Sequence, residues 1–308
     1  MKRIEPADFA ALVDLAMEDT NRRAMRPVIE KELLHFDILF ALDRERLLDG
    51  LTFQGGTSLR LCYGAPRFSE DLDFAGGPDF SGKEASEIKT CLEDYIGRRY
   101  QLAVSVKPPK ALRDDPRYAE VRVDKWQVSV TTAPARPDIA TQKIKLEIAN
   151  VPAYTRQAQG LQLHYPFLPD GYNDLLILAE SLDEIMADKL ISLVNTQRYV
   201  RNRDIWDIQW LKQQGARLDI GLVQRKLSDY RVEAYIARAR TLVERLPGLV
   251  HGAEFQQEME RFLPADTLER TLHDSRFADY LAREIGITFT EVINAMGGQN
   301  GPAPEFRL

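Results

Sequence analysis

The chain has 308 residues, of which 44% are hydrophobic, with a formal net charge of −6 and two cysteines. That length can bury a sizeable core in one large or two modest domains, and two are expected. No apolar run approaches the ~20 residues that span a bilayer. The opening Met1-Lys-Arg-Ile-Glu-Pro lacks the hydrophobic segment of a signal peptide, so a cytoplasmic setting is expected. Cys62 and Cys91 each fall in a segment read as helical, which argues against a disulfide framework or a zinc site. The acidic balance argues against a protein that coats nucleic acid but leaves room for a local basic groove.

The first fifty residues read as two helices, Ala7–Thr20 and Val28–Leu48, separated by Pro27. Leu33, Leu34, Phe36, Leu39, Phe40, Leu42 and Leu47 give the second a broad apolar face suited to packing on a sheet. His35 lies inside that face, with no second His or Cys at ligand spacing, and reads as a packed or hydrogen-bonded helix histidine.

The apolar run Leu51-Thr-Phe53 is followed by Gly55-Gly-Thr-Ser58 and then by Leu59-Arg-Leu-Cys-Tyr63. This order reads as a strand, a glycine turn and a helix N-terminus. Unpaired amides at such a terminus attract anions, and glycine lets a phosphate approach the backbone. Asp71-Leu-Asp73 follows in a run ending at Phe74. The period of two along a strand sends both carboxylates to one face, a pair of hard oxygen ligands of the kind that holds Mg²⁺ together with substrate phosphates.

After the turn Ala75-Gly-Gly-Pro78 come a helix over 86–100 and a strand-rich stretch, 102–106, 122–130 and 142–149. With the strands near Phe53 and Asp71 these predict a sheet of about five strands. In the last of them Lys143, Lys145 and Glu147 share one face, while Ile144, Leu146 and Ile148 turn to the core.

From Leu175 onward the chain reads as helical. Ser181 and Glu184 form a Ser-x-x-Glu capping box ahead of Leu182–Val194, which carries Lys189. Arg203-Asp204-Ile-Trp-Asp207 follows, with Asp204 and Asp207 on one helical face. Between Arg198 and Arg240 ten Lys or Arg stand against five acids, with Tyr199, Trp206 and Trp210 interleaved. This is either a surface for an RNA backbone and an unpaired base or a solvated helical face over a tryptophan core. Helices at 253–262, 267–273 and 277–285 complete the chain, and Gly297 to Leu308 reads as a disordered tail.

Strand, Gly-Gly-Thr-Ser, short helix and Arg67-Phe-Ser69-Glu-Asp71-Leu-Asp73-Phe resemble the opening motif of the DNA polymerase β-like nucleotidyltransferase superfamily. Within it they resemble the AbiEii/AbiGii (MenT-like) toxin family. Glu184 or Asp188 near Lys189, followed by Arg203, Asp204 and Asp207, is similar to the later motifs of those toxins.

The resemblance implies an α/β (α+β) nucleotidyltransferase-like mixed sheet with flanking helices over residues 1–165. A mainly helical carboxy-terminal domain over 166–296 would complete the site, with nucleotide between the two. It implies that Gly55, Gly56, Thr57 and Ser58 grip the nucleotide and that Asp71 and Asp73 bind catalytic Mg²⁺. Glu147 maps to the third carboxylate, ahead of Asp124. Arg67 and Ser69 flank the pair and either touch phosphate or order the strand. Lys189 would stabilise charge on the leaving pyrophosphate. Asp204 would orient that lysine or act as a base, with Arg203 and Asp207 beside them.

The implied activity is transfer of a nucleoside monophosphate from a triphosphate to the 3′ end of tRNA. This would be the work of a toxin in an abortive-infection or toxin–antitoxin system, neutralised by a cognate antitoxin. A protein hydroxyl as acceptor, and a non-catalytic nucleotide-binding module, are the competing readings.

Overall fold

The computed structural model describes residues 7–80, 87–109, 122–135, 138–168, 171–196 and 198–297. The chain divides into two compact units, Met1–Ser181 with Arg261–Thr267, and Leu182–Glu260 with Leu268–Leu308. The first unit therefore runs past residue 165, where the sequence places the boundary. The expected tail beyond Gly297 lies outside the described residues.

In the first unit α1 (Phe9–Met17) starts at Asp8, whose carboxylate accepts from the Ala10 and Ala11 amides at 3.0 and 3.2 Å. In α2 (Arg26–Arg44) Pro27 occupies the first turn instead of standing before the helix, because an amide there has no intrahelical partner to lose. Leu33, Leu34, Phe36, Ile38, Leu39 and Leu42 of α2 are buried, and the helix packs on α4 (Ile88–Tyr100) and β5 (Gln142–Ala149).

Among the described residues seven strands form one mixed sheet, joining to β5 the strands β1 (Thr52–Gln54), β2 (Leu72–Ala75), β3 (Val104–Lys107), β4 (Val123–Val130), β6 (Arg156–Gly160) and β7 (Leu176–Glu180). Their order is β3-β4-β5-β2-β1-β7-β6. The middle of the sheet is short: β1 pairs antiparallel with β2, while β2 runs parallel to β5 and β1 parallel to β7. Phe53 and Phe74 face each other in register, with stacked rings 5.0 Å apart.

β7 replaces helix at its place in the sequence-based reading. In Leu176-Ile-Leu-Ala-Glu180 the residues on both faces are apolar up to Glu180, so the period of two appears only in burial, with Leu176 67% exposed and Ile177 3%. A short apolar run of this kind suits a strand or a buried helix equally. Pairing with β1 and β6 decides it.

Several charges are buried within this core. The Arg60 guanidinium is held by both oxygens of Glu32, at 2.8 and 3.0 Å. Burial pushes the Glu32 carboxyl up, but the Arg60 charge outweighs it and leaves the group below its ordinary value. Asp37 accepts from Tyr100 and Tyr172 at 2.6 and 2.5 Å and pairs with Arg99. Phe262 joins the same core, and its carbonyl accepts from the Phe68 amide at 2.8 Å.

The second unit is helical, with α5 (Leu182–Asn195), α6 (Asn202–Gln213), α7 (Ile220–Asp229), α8 (Tyr235–Val250), α9 (Ala253–Glu260) and α11 (Ser275–Gly297). The short α10 (Ala265–Arg270) straddles the division. Leu190, Ile205, Leu211, Val223, Leu281 and Phe289 are fully buried, and Trp206 and Trp210 are buried as well. Both tryptophans are therefore core residues, whereas Tyr199 is 62% exposed. No helix among the described residues is long and apolar enough to cross a membrane.

Candidate active site

β1 turns into α3 (Gly55–Tyr63) at Gly55, whose φ of +79° favours glycine. A Cβ built on Gly55 would stand 2.8 Å from Asp73 Oδ2, and one on Gly56 would stand 2.5 Å from Arg67 Nη2 and 3.0 Å from Ser69 Oγ. The paired glycines are thus required by what lies against them. Gln54, at the N-cap of α3, makes no side-chain capping hydrogen bond, and the amides of such a helix start attract anions.

Thr57 and Ser58 are buried, and the Thr57 hydroxyl donates to the Asp71 carbonyl, tying the turn to the approach of β2. Arg67 and Ser69 are buried against Gly56, and Arg67 Nη1 donates to the Phe68 carbonyl at 2.7 Å. Of the two roles open to Arg67 and Ser69, this burial supports ordering the turn. The helix closes at Gly64 (φ +76°), where a Cβ would meet open space.

Asp71 and Asp73 share the polar face of β2, with Leu72 buried on the other. Asp73 lies in register between Gln54 of β1 and Glu147 of β5. The neighbouring cations decide how these acids are used. The Lys145 amide donates to Asp71 Oδ1 at 3.0 Å and its ammonium to Asp71 Oδ2 at 3.2 Å, while Lys125 pairs with Glu147 at 3.0 Å. Partial burial pulls the Lys145 ammonium down, but Asp71 outweighs it and the group stands above its ordinary value.

Among the described residues no three His, Cys, Asp or Glu converge as a metal-holding group. Glu147 is the register partner of Asp73 on β5, and Lys125 pairs with its carboxylate. Asp124 pairs with Arg122 at 3.0 Å. The pair Asp71 and Asp73 fits a divalent cation on its own terms, being two hard oxygen donors, one of them held against the amide-lined turn.

Nearby, His35 Nε2 bonds the Glu70 carbonyl at 3.0 Å, and burial pushes the imidazole down to about 4. It is the packed, hydrogen-bonded histidine expected.

In the second unit α5 and α6 bring Lys189, Asp204 and Asp207 together. The Lys189 ammonium lies 2.7 Å from Asp204 Oδ1 and 2.9 Å from Asp207 Oδ2, all three residues being buried. Ser192 Oγ donates to Asp204 Oδ2 at 2.7 Å, and Arg201 pairs with the same oxygen. Burial pushes the Asp204 carboxyl up, but Lys189 and Arg201 outweigh it and hold the group well below the usual carboxylate range. Arg203 points elsewhere, to Glu258 at 3.2 Å.

Glu184 and Asp188, the acids expected near Lys189, pair with Lys226 at 2.8 and 3.0 Å, and both Lys226 and Glu184 are fully buried. Lys226 was readable only as part of a basic run. Its place in the stripe Leu222, Val223, Lys226, Leu227 was the signal that it turns inward. That basic run is largely compensated as well: Arg217 pairs with Asp183 and Lys212 with Glu284, both at 3.2 Å.

A family model described as "Nucleotidyl transferase AbiEii toxin, Type IV TA system" matches residues 37–283. Among solved structures the chain is similar to MenT4, a nucleotidyltransferase toxin of Mycobacterium tuberculosis H37Rv, at 17% identity and a TM-score of 0.57, over 92% of this chain and 90% of that one. JHP933 of Helicobacter pylori aligns at 18% identity and a TM-score of 0.42, over 88% of this chain and 94% of that one. A putative nucleotidyltransferase of H. pylori aligns at 19% identity and 0.43, over 87% and 97%. The likeness to MenT4 is one of fold. Comparison with curated proteins finds no match.

Proposed function

The chain belongs to the nucleotidyl transferase AbiEii toxin family and is a nucleotidyltransferase, and from that premise we propose that it transfers a nucleoside monophosphate from a triphosphate to the 3′ end of tRNA in a Mg²⁺-dependent reaction. Membership in a type IV toxin–antitoxin family carries with it a nucleoside triphosphate substrate and an antitoxin partner. We place the reaction in the cytoplasm, where charged nucleotides and tRNA are both present.

The observation that carries the reading is the glycine turn pressed against Asp73, in which a Cβ at Gly55 would meet Asp73 Oδ2 at 2.8 Å. It sets a carboxylate beside the amides of a helix start, so one short segment offers both an anion cradle and a hard-cation ligand. Asp71 and Asp73 are the residues that would hold Mg²⁺, which when bound neutralises phosphate charge and polarises the α-phosphoryl group.

The remaining roles fall to the chain's own groups. The amides of Gly55 to Ser58 grip phosphate oxygens, with Arg67 and Ser69 holding Gly56 in place. The acceptor hydroxyl attacks the α-phosphorus and gives up its proton to solvent, the bond from that phosphorus to the α–β bridging oxygen breaks, and pyrophosphate leaves. We assign Lys189, on the strength of the family motif, to the charge that gathers on the leaving group. Of the two roles open to Asp204, its ion pairs with Lys189 and Arg201 favour orienting the lysine, because a carboxylate held so far below its usual range is a weak base. Asp207 supports the same ammonium.

The test is incubation of the protein and its Asp71→Ala/Asp73→Ala variant with each α-labelled triphosphate, Mg²⁺ and total tRNA, followed by separation of RNA from protein. Label on RNA that the double variant does not add supports the proposal and names the preferred base. Label on protein overturns the tRNA acceptor in favour of protein nucleotidylation. Nucleotide binding without label in either fraction overturns catalysis.

A further inference from the structure

A cleft of about 710 Å³ opens in the helical unit between the end of α5, the start of α6, α8 and α9. Its size falls within the ~300–1,000 Å³ of ordinary ligand pockets. The floor is apolar, with Leu193 and Leu242 buried. The rim is cationic, formed by Arg198, Arg238 and Arg245.

These arginines are not spent on acids. Among the described residues Arg198 and Arg245 are exposed and have no acidic partner, and Arg238 donates to a neutral group, Asn195 Oδ1, at 2.9 Å. Of the two glutamates at the cleft, Glu258 is already engaged by Arg203 and Asn202. Tyr199 stands at the mouth, 62% exposed, which is unusual for so large an aromatic side chain unless it has something to stack on.

Free guanidinium groups match phosphate oxygens, and an exposed aromatic ring over an apolar floor matches the face of an unpaired base. The elements that build the cleft also build the Lys189 cluster. Leu193 stands one turn beyond Lys189 on α5, and Asn202 precedes Asp204 in the first turn of α6.

We propose that this cleft binds the terminal nucleotides of a single-stranded RNA acceptor, with Tyr199 stacking an unpaired base and Arg198 and Arg245 holding its phosphates. The proposal rests on the reading that the acceptor is RNA, and assigns that RNA a place.

The test is fluorescence anisotropy of a 5′-labelled, ten-nucleotide single-stranded RNA against the full chain, without triphosphate, over a salt series. Arg198→Glu/Arg245→Glu is expected to weaken binding at least about tenfold and to flatten the salt dependence by about 1.4 in log–log slope, from two lost contacts at ~0.7 each. Tyr199→Ala is expected to lose about fivefold or more, with Tyr199→Phe recovering most of it. Arg240→Glu, which makes the charge change of one of these substitutions on α8 outside the cleft lining, is expected to leave binding within about twofold of wild type when salt is moderate.

Equal losses in Arg240→Glu and the cleft variants overturn the site. Complete displacement of the RNA by a free nucleoside monophosphate at millimolar concentration also overturns it, and makes a free nucleotide the occupant. Label transfer to RNA that the cleft variants leave unchanged overturns the cleft while sparing the RNA acceptor. Label transfer to protein alone overturns that acceptor first.

Discussion

Replacing Gly55 with alanine tests the turn against its neighbour, and Gly64→Ala supplies an internal control. Both glycines have left-handed backbones, φ +79° and +76°, so each alanine costs roughly 1–2 kcal/mol of conformational strain. Near 2–4 °C per kcal/mol for a unit of this size, both variants are expected to melt a few degrees below wild type. They differ in what the new methyl meets: nothing within 4 Å at Gly64, but Asp73 Oδ2 at 2.8 Å at Gly55. Restoring ordinary contact at 3.4 Å moves that carboxylate by about 0.6 Å, the difference between the two distances. Misplacement on the order of 1 Å at a reacting centre costs roughly 10²-fold. Gly55→Ala should therefore lose at least about tenfold in turnover per folded molecule, whereas Gly64→Ala should stay within about twofold of wild type. The assay is initial-rate nucleotide transfer from α-labelled triphosphate, normalised to folded protein by circular dichroism at the assay temperature. Equal activity losses in the two variants would refute the assignment of Gly55 to the placement of Asp73.

Lys145→Met removes the ammonium from Asp71, so calorimetric titration of the nucleotide-free protein with Mn²⁺ should show tighter binding; a partly exposed ion pair of ~0.2–1 kcal/mol corresponds to a gain of about 1.4- to 5-fold, and weaker binding would contradict the geometry. Lys226→Met removes the buried ammonium that pairs with Glu184 at 2.8 Å and with Asp188 at 3.0 Å and should destabilise the helical unit by ~3–5 kcal/mol. Glu184→Met/Lys226→Met should recover most of that loss in urea unfolding followed by tryptophan fluorescence, and an unchanged double-variant deficit would show that the pair is not the cause. His35 is held neutral, with a folded value of about 4 against ~6.5 unfolded. The unfolded chain therefore binds the extra proton first, and the contribution of His35 is fully present above pH ~6.5 and is lost as pH falls toward 4, by about 3 kcal/mol in all. Melting temperatures from pH 7.5 to 4.5 should fall more steeply in wild type than in His35→Gln, and parallel curves would show that this group does not set the slope.

What was legible in the sequence was what lies close together along it. Gly55 to Asp73 spans one turn, one helix and one strand, so the glycine pair and the carboxylate pair could be read as a unit before any tertiary contact was known. The strands β4 and β5 were likewise plain, because each alternates against a single buried face. β7 was hidden because apolar side chains on both of its faces erase the alternation. The partner of Asp71 was hidden for another reason: Lys145 reaches it only through the parallel pairing of β2 with β5, across a separation of 74 residues. Glu147 was placed correctly beside Asp73, yet its engagement by Lys125 depends on the further pairing of β4 with β5. Counting charges could not resolve the basic run, because Lys226 is core and several of its neighbours are paired, whereas exposure separates Tyr199 from the two tryptophans. Composition treats those three aromatics alike, and only packing distinguishes them.

The return of Arg261–Thr267 to the first unit gives this fold an order of assembly in time. Phe262 is 1% exposed in a core otherwise built from residues before 182, and its carbonyl secures the Phe68 amide just ahead of Asp71. On a ribosome adding roughly 5–20 residues per second, the 81 residues from Ser181 to Phe262 take about 4–16 s to synthesise. Throughout that interval the nascent sheet lacks the side chain that completes its core and the carbonyl that anchors the strand bearing the carboxylates. The segment that the family motif marks for nucleotide thus matures late in translation, and a chain released early, even one containing every residue of that motif, leaves the ribosome without its keystone.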